Sequence, residues 1–234
     1  MAEVIAALCR HGEYEQPEQV PSAHLLHPLT ARGREQASAL AQELLALART
    51  HNFRIHPIID CSSLLRAYET ASIVADQLTT TTDSSFAVEE FQALSERCLG
   101  AAANLRIDQI EAILARDPRY AIPPAGWKAS ADYRLPFIGA ESLLDAGARI
   151  ARHLRARTAG LRRDEHGTVL KVFVGHGGGY RHAAACLGTL RLTEIPHLSM
   201  HHARAVCLRS DDNQPWTLVA GAFKQRKRGD EARD

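Results

Sequence analysis

The chain has 234 residues, room for one large domain or two small ones, and its 45% apolar and 24% charged content is that of a globular protein with a substantial core. A formal net charge of +1 gives no electrostatic reason to expect nucleic acid as a partner, and no apolar stretch approaches the length of a membrane span. Five cysteines (Cys9, Cys61, Cys98, Cys186 and Cys207) form no CxxC pair, which argues against a zinc knuckle or a disulfide framework and suits a reducing cytosol.

The opening "MAEVIAALCRHGE" lacks the cationic region and cleavage site of a signal peptide, so a soluble cytoplasmic protein is expected. Val4 to Cys9 is a nearly continuous apolar run, as in a strand buried on both faces. A polar loop with Pro17, Pro21 and Pro28 follows. "TARGREQASALAQELLALART" then predicts a helix capped by Thr30, with Ala37, Leu40, Ala41, Leu44, Leu45 and Ala48 at helical spacing. "FRIHPIID" reads as a second strand. It runs into a helix in "CSSLLRAYETASIVADQL", striped by Leu64, Ala67, Ala71, Val74, Ala75 and Leu78 and capped by Ser62 or Ser63.

Past the polar breaker "TTTTDSS", "FAVEE" predicts a brief strand. The region from Gly100 to Gly139 holds one helix, "IDQIEAILAR", and a loop rich in proline and aromatic residues. It has too few apolar residues for a core of its own and reads as an insertion covering one end of the sheet. A helix, "AESLLDAGARIARHLRART", a strand, "TVLKVFVG", and a helix beginning at "GGGYRHAAACL" follow. Two strands, "ARAVCLRS" and "WTLVAGAF", close the pattern around the turn "DDNQP". One domain over residues 1–223 is expected, with a basic polar tail over 224–234. Alternating strands and helices predict a three-layer α/β/α sandwich, its sheet mostly parallel and covered by helices on both faces.

In such sheets ligands bind at the carboxyl ends of the strands, where the chemistry-bearing residues fall. Arg10-His11-Gly12 follows the first strand. Ser62, Ser63 and Arg66 follow the second. Gly175-His176-Gly177-Gly178-Gly179 follows "TVLKVFVG". Glycine-rich turns and helix N-termini offer unpaired N–H groups to anions, and arginine adds planar donors suited to phosphate. Taken singly, Arg66 reads as a surface cation and "GHGGG" as a glycine turn with a structural histidine. His24, His27, His201 and His202 form no metal-ligand pattern.

The combination resembles the histidine phosphatase superfamily, branch 1, the phosphoglycerate-mutase-like group. The matching pieces are "LCRHGE", "HPLTARGREQA", "CSSLLRAYETA", "ALSERCLG", "GAESLLDAGARI" and "VFVGHGGGYR", in the family's order from Leu8 to Arg181. The resemblance implies that His11 accepts the phosphoryl group and that Arg10, Arg66 and His176 surround the phosphate oxygens. Glu96 is implied as the acid that protonates the leaving oxygen and then the base that activates water. Gly177, Tyr14 and Arg97 join the expected substrate contacts. No metal and no cofactor are implied. The expected partner is a small phosphate ester, neither nucleic acid nor membrane, and a homodimer is among the admissible assemblies.

Elementary electrostatics fits those roles. An imidazole titrates near 6.5, and two neighbouring arginines favour its neutral, nucleophilic form. Opposite unit charges 4 Å apart attract by roughly 4 kcal/mol at an effective dielectric of 20, enough for the arginine clamp to dominate phosphate binding. Its second ring nitrogen needs an acceptor, expected to be a backbone carbonyl, to fix the tautomer. A phosphate dianion beside Glu96 favours its neutral acid form. Glu141 is expected to cap or orient a helix, with contact to the site as the alternative, and Glu13 to stand behind the site.

Phosphatase is favoured over mutase because Tyr14, Glu15 and Gln16 follow "RHGE", where cofactor-dependent mutases carry an asparagine and a Gly-Trp segment. The "RH-x-x-Tyr" start also resembles members acting on phosphoproteins, and a non-catalytic phosphate-binding protein is a third reading. His27 stands before "PLT", where an aspartate is frequent. Candidates for contacting the rest of the substrate are Tyr14, Arg97, Arg106, Trp127, Arg134 and Arg181.

Overall fold

The computed structural model describes residues 3–17, 19–20, 24–164 and 167–226. Strand β1 (Glu3–Arg10) is followed by α1 (Ala31–His51), β2 (Arg54–Ile55), β3 (Ile58–Ser62), α2 (Leu65–Thr81), β4 (Ala87–Phe91) and α3 (Ile107–Arg116). Then come α4 (Leu143–Asp164), β5 (Thr168–Gly175), α5 (Gly177–Cys186), β6 (Leu198–Ser199), β7 (Ala205–Arg209), β8 (Thr217–Ala220) and β9 (Lys224–Gln225). The main sheet runs β4-β3-β5-β1-β7-β8, with β2 also on β5. Strands β1 to β5 pair in parallel, while β7 and β8 are antiparallel.

Side-chain alternation along the central strands builds two cores. Ile5, Ala7 and Cys9 of β1 point, with Leu170, Val172 and Val174 of β5, at the apolar faces of α1 and α2. Ala6 and Leu8, with Phe173, point the other way, at Ile150 and Leu154 of α4 and Tyr180 and Ala183 of α5. This is the expected three-layer sandwich. On the α4 side, buried Asp60 accepts from Lys171 Nζ at 2.5 Å, Arg157 Nε at 2.8 Å and His153 Nε2 at 3.1 Å. Burial works against its ionisation, but those donors outweigh it and hold the carboxyl below its ordinary value.

Several local expectations change. Pro57 interrupts "FRIHPIID", so two short strands stand where one was expected. Neither Ser62 nor Ser63 caps α2: the cap position is Leu64, and Ser62 still belongs to β3. Thr30 does cap α1, accepting from Gly33 N at 3.0 Å. The helix expected from Ala140 starts at Leu143, because Ser142 and Asp145 close a reciprocal cap there, with Ser142 Oγ accepting from Asp145 N at 3.0 Å.

Residues 99–140 do assemble a small core of their own, with Leu99, Ile110, Leu114, Trp127 and Leu135 buried against one another. A bridge between Leu99 and Ala140 draws its two ends together. Lys224 and Gln225, assigned to the tail, pair with Leu198 and Ser199 instead. The rest of that tail, from residue 227, lies outside the described residues. No helix among the described residues is long and apolar enough to cross a membrane.

One close approach fixes the turn after β1. A Cβ on Gly12 would sit 2.5 Å from Gly33 O, and one on Gly33 only 1.9 Å from Glu13 O. The loop and α1 touch backbone to backbone. Gly160, in α4, meets nothing within 4 Å of such a Cβ. Gly33→Ala is therefore expected to cost about 2–3 kcal/mol in denaturant unfolding, whereas Gly160→Ala should add about 0.5–1 kcal/mol. Shifts of the same sign in both variants would contradict this packing.

Candidate active site

Parallel pairing brings the strand ends together. Arg10 of β1 lies opposite Gly175 of β5, and Cys61 of β3 opposite Val174, so His11, Ser62 and His176 emerge along one edge. His11 N donates to Gly175 O at 2.9 Å. Arg66 reaches the same edge from the first turn of α2. It is 0% exposed, so the surface reading of this residue fails; its short route from helix to strand ends lies wholly inside the protein.

His11 is 2% exposed. Its Nδ1 lies 2.7 Å from Gly12 O, an atom that only accepts, so Nδ1 carries the proton and Nε2 keeps its lone pair. Arg66 Nε donates to that Nε2 at 3.2 Å. Arg66 Nη2 donates to His176 Nδ1 at 3.3 Å, and His176 Nε2 faces Ser62 Oγ at 2.9 Å. Since arginine only donates, His176 Nδ1 must accept and its Nε2 carries the proton. Arg66 Nη1 donates to Leu25 O at 3.1 Å. One guanidinium thus addresses both histidines, in opposite tautomers, with ring centroids 5.2 Å apart.

Burial is the main force lowering the His11 pKa well below its ordinary value, with Arg66, His176, Arg10 and His202 adding to it. The same holds for His176, again by burial first and then by Arg66 and Arg10. The arginines expected to do this from sequence are secondary to desolvation.

Arg10 ends β1 and donates from Nη1 to Met200 O at 3.1 Å. A Cβ on Gly177 would lie 3.2 Å from Arg10 Cδ, and one on Gly178 3.4 Å from Glu96 Oε1. Arg10 and Glu96 therefore flank the N-terminus of α5, whose free N–H groups favour anions. Glu96 is 6% exposed, and its Oε1 accepts from Arg97 N at 2.9 Å. It lines a cavity of about 530 Å³ with His24, Ser63, Ser95, Glu141 and Arg149. Glu141 holds this loop, accepting from Cys98 N at 3.1 Å and pairing with Arg149 Nη2 at 2.7 Å. Glu13 stands behind the site, accepting from Thr30 Oγ1 at 3.1 Å.

Tyr14 is buried, edge-on to His11 at 5.3 Å, with the Arg66 guanidinium 4.7 Å above its ring. Arg97 is buried and within the field of Glu96 and Glu141. The other specificity candidates are engaged elsewhere. Trp127 is core within the 99–140 segment and donates to Glu111, Arg134 pairs with Asp145, and Arg106 bonds Asp108. Arg181 is buried, tying Gly177 O to Leu198 O.

Three participants escaped the sequence reading. Thr70 accepts from Gly12 N at 3.0 Å and donates to Arg66 O at 2.7 Å, coupling the two motifs. The His202 ring lies 5.7 Å from that of His11. His24 lines the cavity beside Glu96. Only Thr70 carried a signal, its place in "RAYETA", four residues after Arg66 on the same helix face.

Comparison with solved structures finds a mycobacterial glucosyl-3-phosphoglycerate phosphatase that is 26% identical, with a TM-score of 0.65 and coverage of 94% of this chain and 97% of that one. A protein described as mycobacterial hydrolase 2 is 26% identical with a TM-score of 0.67, covering 97% of this chain and 94% of the other. The α-ribazole phosphatase from Shigella flexneri, 22% identical over 92% of this chain and 94% of its own, shares the fold at a TM-score of 0.65. Comparison with curated proteins gives no match. Residues 6–222 match the sequence profile of the histidine phosphatase superfamily (branch 1), and with that span and this fold the chain belongs to that family.

Proposed function

We propose that the protein is a phosphatase that hydrolyses the phosphomonoester of a small metabolite through a phosphohistidine intermediate, without a metal. The observation that carries this reading is the neutral His11, whose Nε2 lone pair is aimed at the Arg66 guanidinium by the Nδ1–Gly12 hydrogen bond. A phosphoryl group between His11, Arg10, Arg66 and His176 receives charged donors on its equatorial oxygens, and such bonds are roughly twice as strong as neutral ones.

In the first step, His11 Nε2 forms a bond to phosphorus as the ester P–O bond breaks, and Glu96 gives its proton to the leaving oxygen. In the second, Glu96 takes a proton from water, whose oxygen bonds to phosphorus as the N–P bond breaks. Phosphate and free His11 result. The leaving alcohol belongs in the 530 Å³ cavity, since Glu96 lines it. Gly139, at the end of the 100–139 segment, and Cys98, two residues before its start, line the same cavity, which supports that segment as the cap over the alcohol. The two 26% identical mycobacterial relatives, one a phosphatase of a phosphorylated metabolite and one described as a hydrolase, support hydrolysis over mutase chemistry. The five free cysteines support a cytoplasmic location.

Purified protein should release phosphate from an aryl phosphate at the same rate with and without EDTA. His11→Ala should lower kcat by about 10⁴-fold or more, as for loss of a covalent nucleophile. Glu96→Gln should lower it by about 10²–10⁴-fold. Label from a radioactive ester should survive alkaline denaturation on the wild type and be absent from His11→Ala. Full activity in His11→Ala would overturn the reading, and dependence on a bisphosphate primer would point to a mutase.

pH gives an independent check. Because His11 titrates well below 6.5 in the folded protein, the acid limb of kcat/KM should lie below that value. Stability follows the same sign. Unfolded histidines take up protons as pH falls through about 6.5, while folded His11, His176 and His182, the last pushed down to about 4 mainly by burial, stay neutral. Their contribution is complete above 6.5 and is lost toward the folded pKa, by up to about 1.4 kcal/mol per pH unit for each histidine. The melting temperature should therefore drop from pH 7.5 to pH 5; a flat profile would contradict neutral buried histidines.

A further inference from the structure

Beside the catalytic edge lies a second cavity of about 460 Å³, between the start of α1, the 200–204 loop and β9. Arg10, Arg32, Arg204 and Lys224 line it, together with His201 and His202, and among the described residues no aspartate or glutamate does. Two of these cations have carboxylate partners outside the lining: Arg204 Nη1 lies 2.8 Å from Glu43, and Arg32 Nη1 lies 3.8 Å from Glu13. Those contacts orient the guanidiniums and leave further N–H donors for a ligand. Among the described residues Lys224 has no carboxylate partner.

The cavity is joined to the reaction centre through two residues. Arg10 lines it while its side chain also packs against Gly177, and its Nη1 bond to Met200 O holds the loop that carries His202. His202 lines it and lies 5.7 Å, ring to ring, from His11. Its charge sets it apart from the cavity beside Glu96. There, among the described residues, the arginine is Arg149, bonded to Glu141 and to the carbonyls of Ala93 and Ser95, and both Glu96 and Glu141 face the space. One side of the centre suits a neutral hydroxylated group, the other a dense negative charge.

We propose that this cavity is an anion-binding site for a group bearing at least two phosphate or carboxylate anions, held by Arg32, Arg204 and Lys224 with Arg10 at its inner end. Cations arriving from three separate elements across a space of this size match a ligand with several anionic groups better than a single phosphate. This chemistry has two sources: a second anionic group on the substrate, or a separate small polyanion. The proposal extends the phosphatase reading but does not need turnover to be tested.

Inorganic pyrophosphate is titrated calorimetrically into full-length protein carrying His11→Ala, and into the same protein with Arg204→Ala and Lys224→Glu added. The proposal expects affinity at one binding step to fall at least tenfold in the second protein, with both proteins melting at similar temperatures. Arg32→Ala, on a separate element, should weaken the same step. Identical isotherms in all three proteins would overturn the site. Steady-state kinetics then separates the sources in a chain with His11 intact. If Arg204→Ala raises KM for an ester bearing a second phosphate but not for 4-nitrophenyl phosphate, the substrate supplies the anion. If it weakens inhibition by pyrophosphate and leaves the ratio of the two KM values alone, a separate polyanion does. Turnover lost without His11 but isotherms unmoved by the cavity substitutions would sink this inference and leave the phosphatase reading standing.

Discussion

The guanidinium of Arg66 is the contact on which the rest of this site depends. It is wholly buried, and it spends one donor on each of two histidines that arrive from different strands. A cation so enclosed needs acceptors, and neutral imidazole nitrogens supply two of them. The arrangement works both ways: burial first, and the enclosed charge second, keep both rings neutral, and the neutral rings give that charge somewhere to donate. In the proposed reading, a phosphate dianion placed among these groups would add its charge to the field of Glu96 already acting on Arg66. Binding and catalysis would then draw on the same cluster of positive charge.

Holding that charge in place takes more than the site's own residues. The parallel register of β1, β3 and β5 fixes where the strand ends emerge. The backbone contact between Gly12 and Gly33 sets the turn that aims His11, and Thr70 ties that turn to the helix bearing Arg66. On the opposite face, Asp60, Lys171, His153 and Arg157 form a second buried ionic group that joins α4 to the sheet. Removing one member of such a buried network leaves an uncompensated charge at a cost of about 3–5 kcal/mol.

Much of this could be read in the sequence, and the failures have identifiable causes. The apolar run Val4–Cys9 marks a central strand because burial on both faces leaves no room for alternation. The motif order brought His11, Arg66 and His176 to one edge because parallel pairing leaves little freedom there. Lys171 sits inside the expected strand "TVLKVFVG", and nothing local signals that Asp60, more than a hundred residues earlier, lies within reach. His202 and Lys224 are positioned by an antiparallel edge and by the short β6–β9 pair, whose two-residue strands have no periodicity to detect. Partners of the irregular segment were hidden for a related reason: its arginines and tryptophan look uncommitted in sequence, but Trp127 is buried in that segment's small core and Arg134 forms an ion pair at the start of α4.

Nitrogen-15 NMR of the histidine side chains near pH 7 tests most directly whether one buried cation faces two uncharged rings. The expected spectrum shows His11 protonated on Nδ1 with a bare Nε2, and His176 protonated on Nε2 with a bare Nδ1. An imidazolium signal from either residue, or a proton on Nε2 of His11, would contradict it.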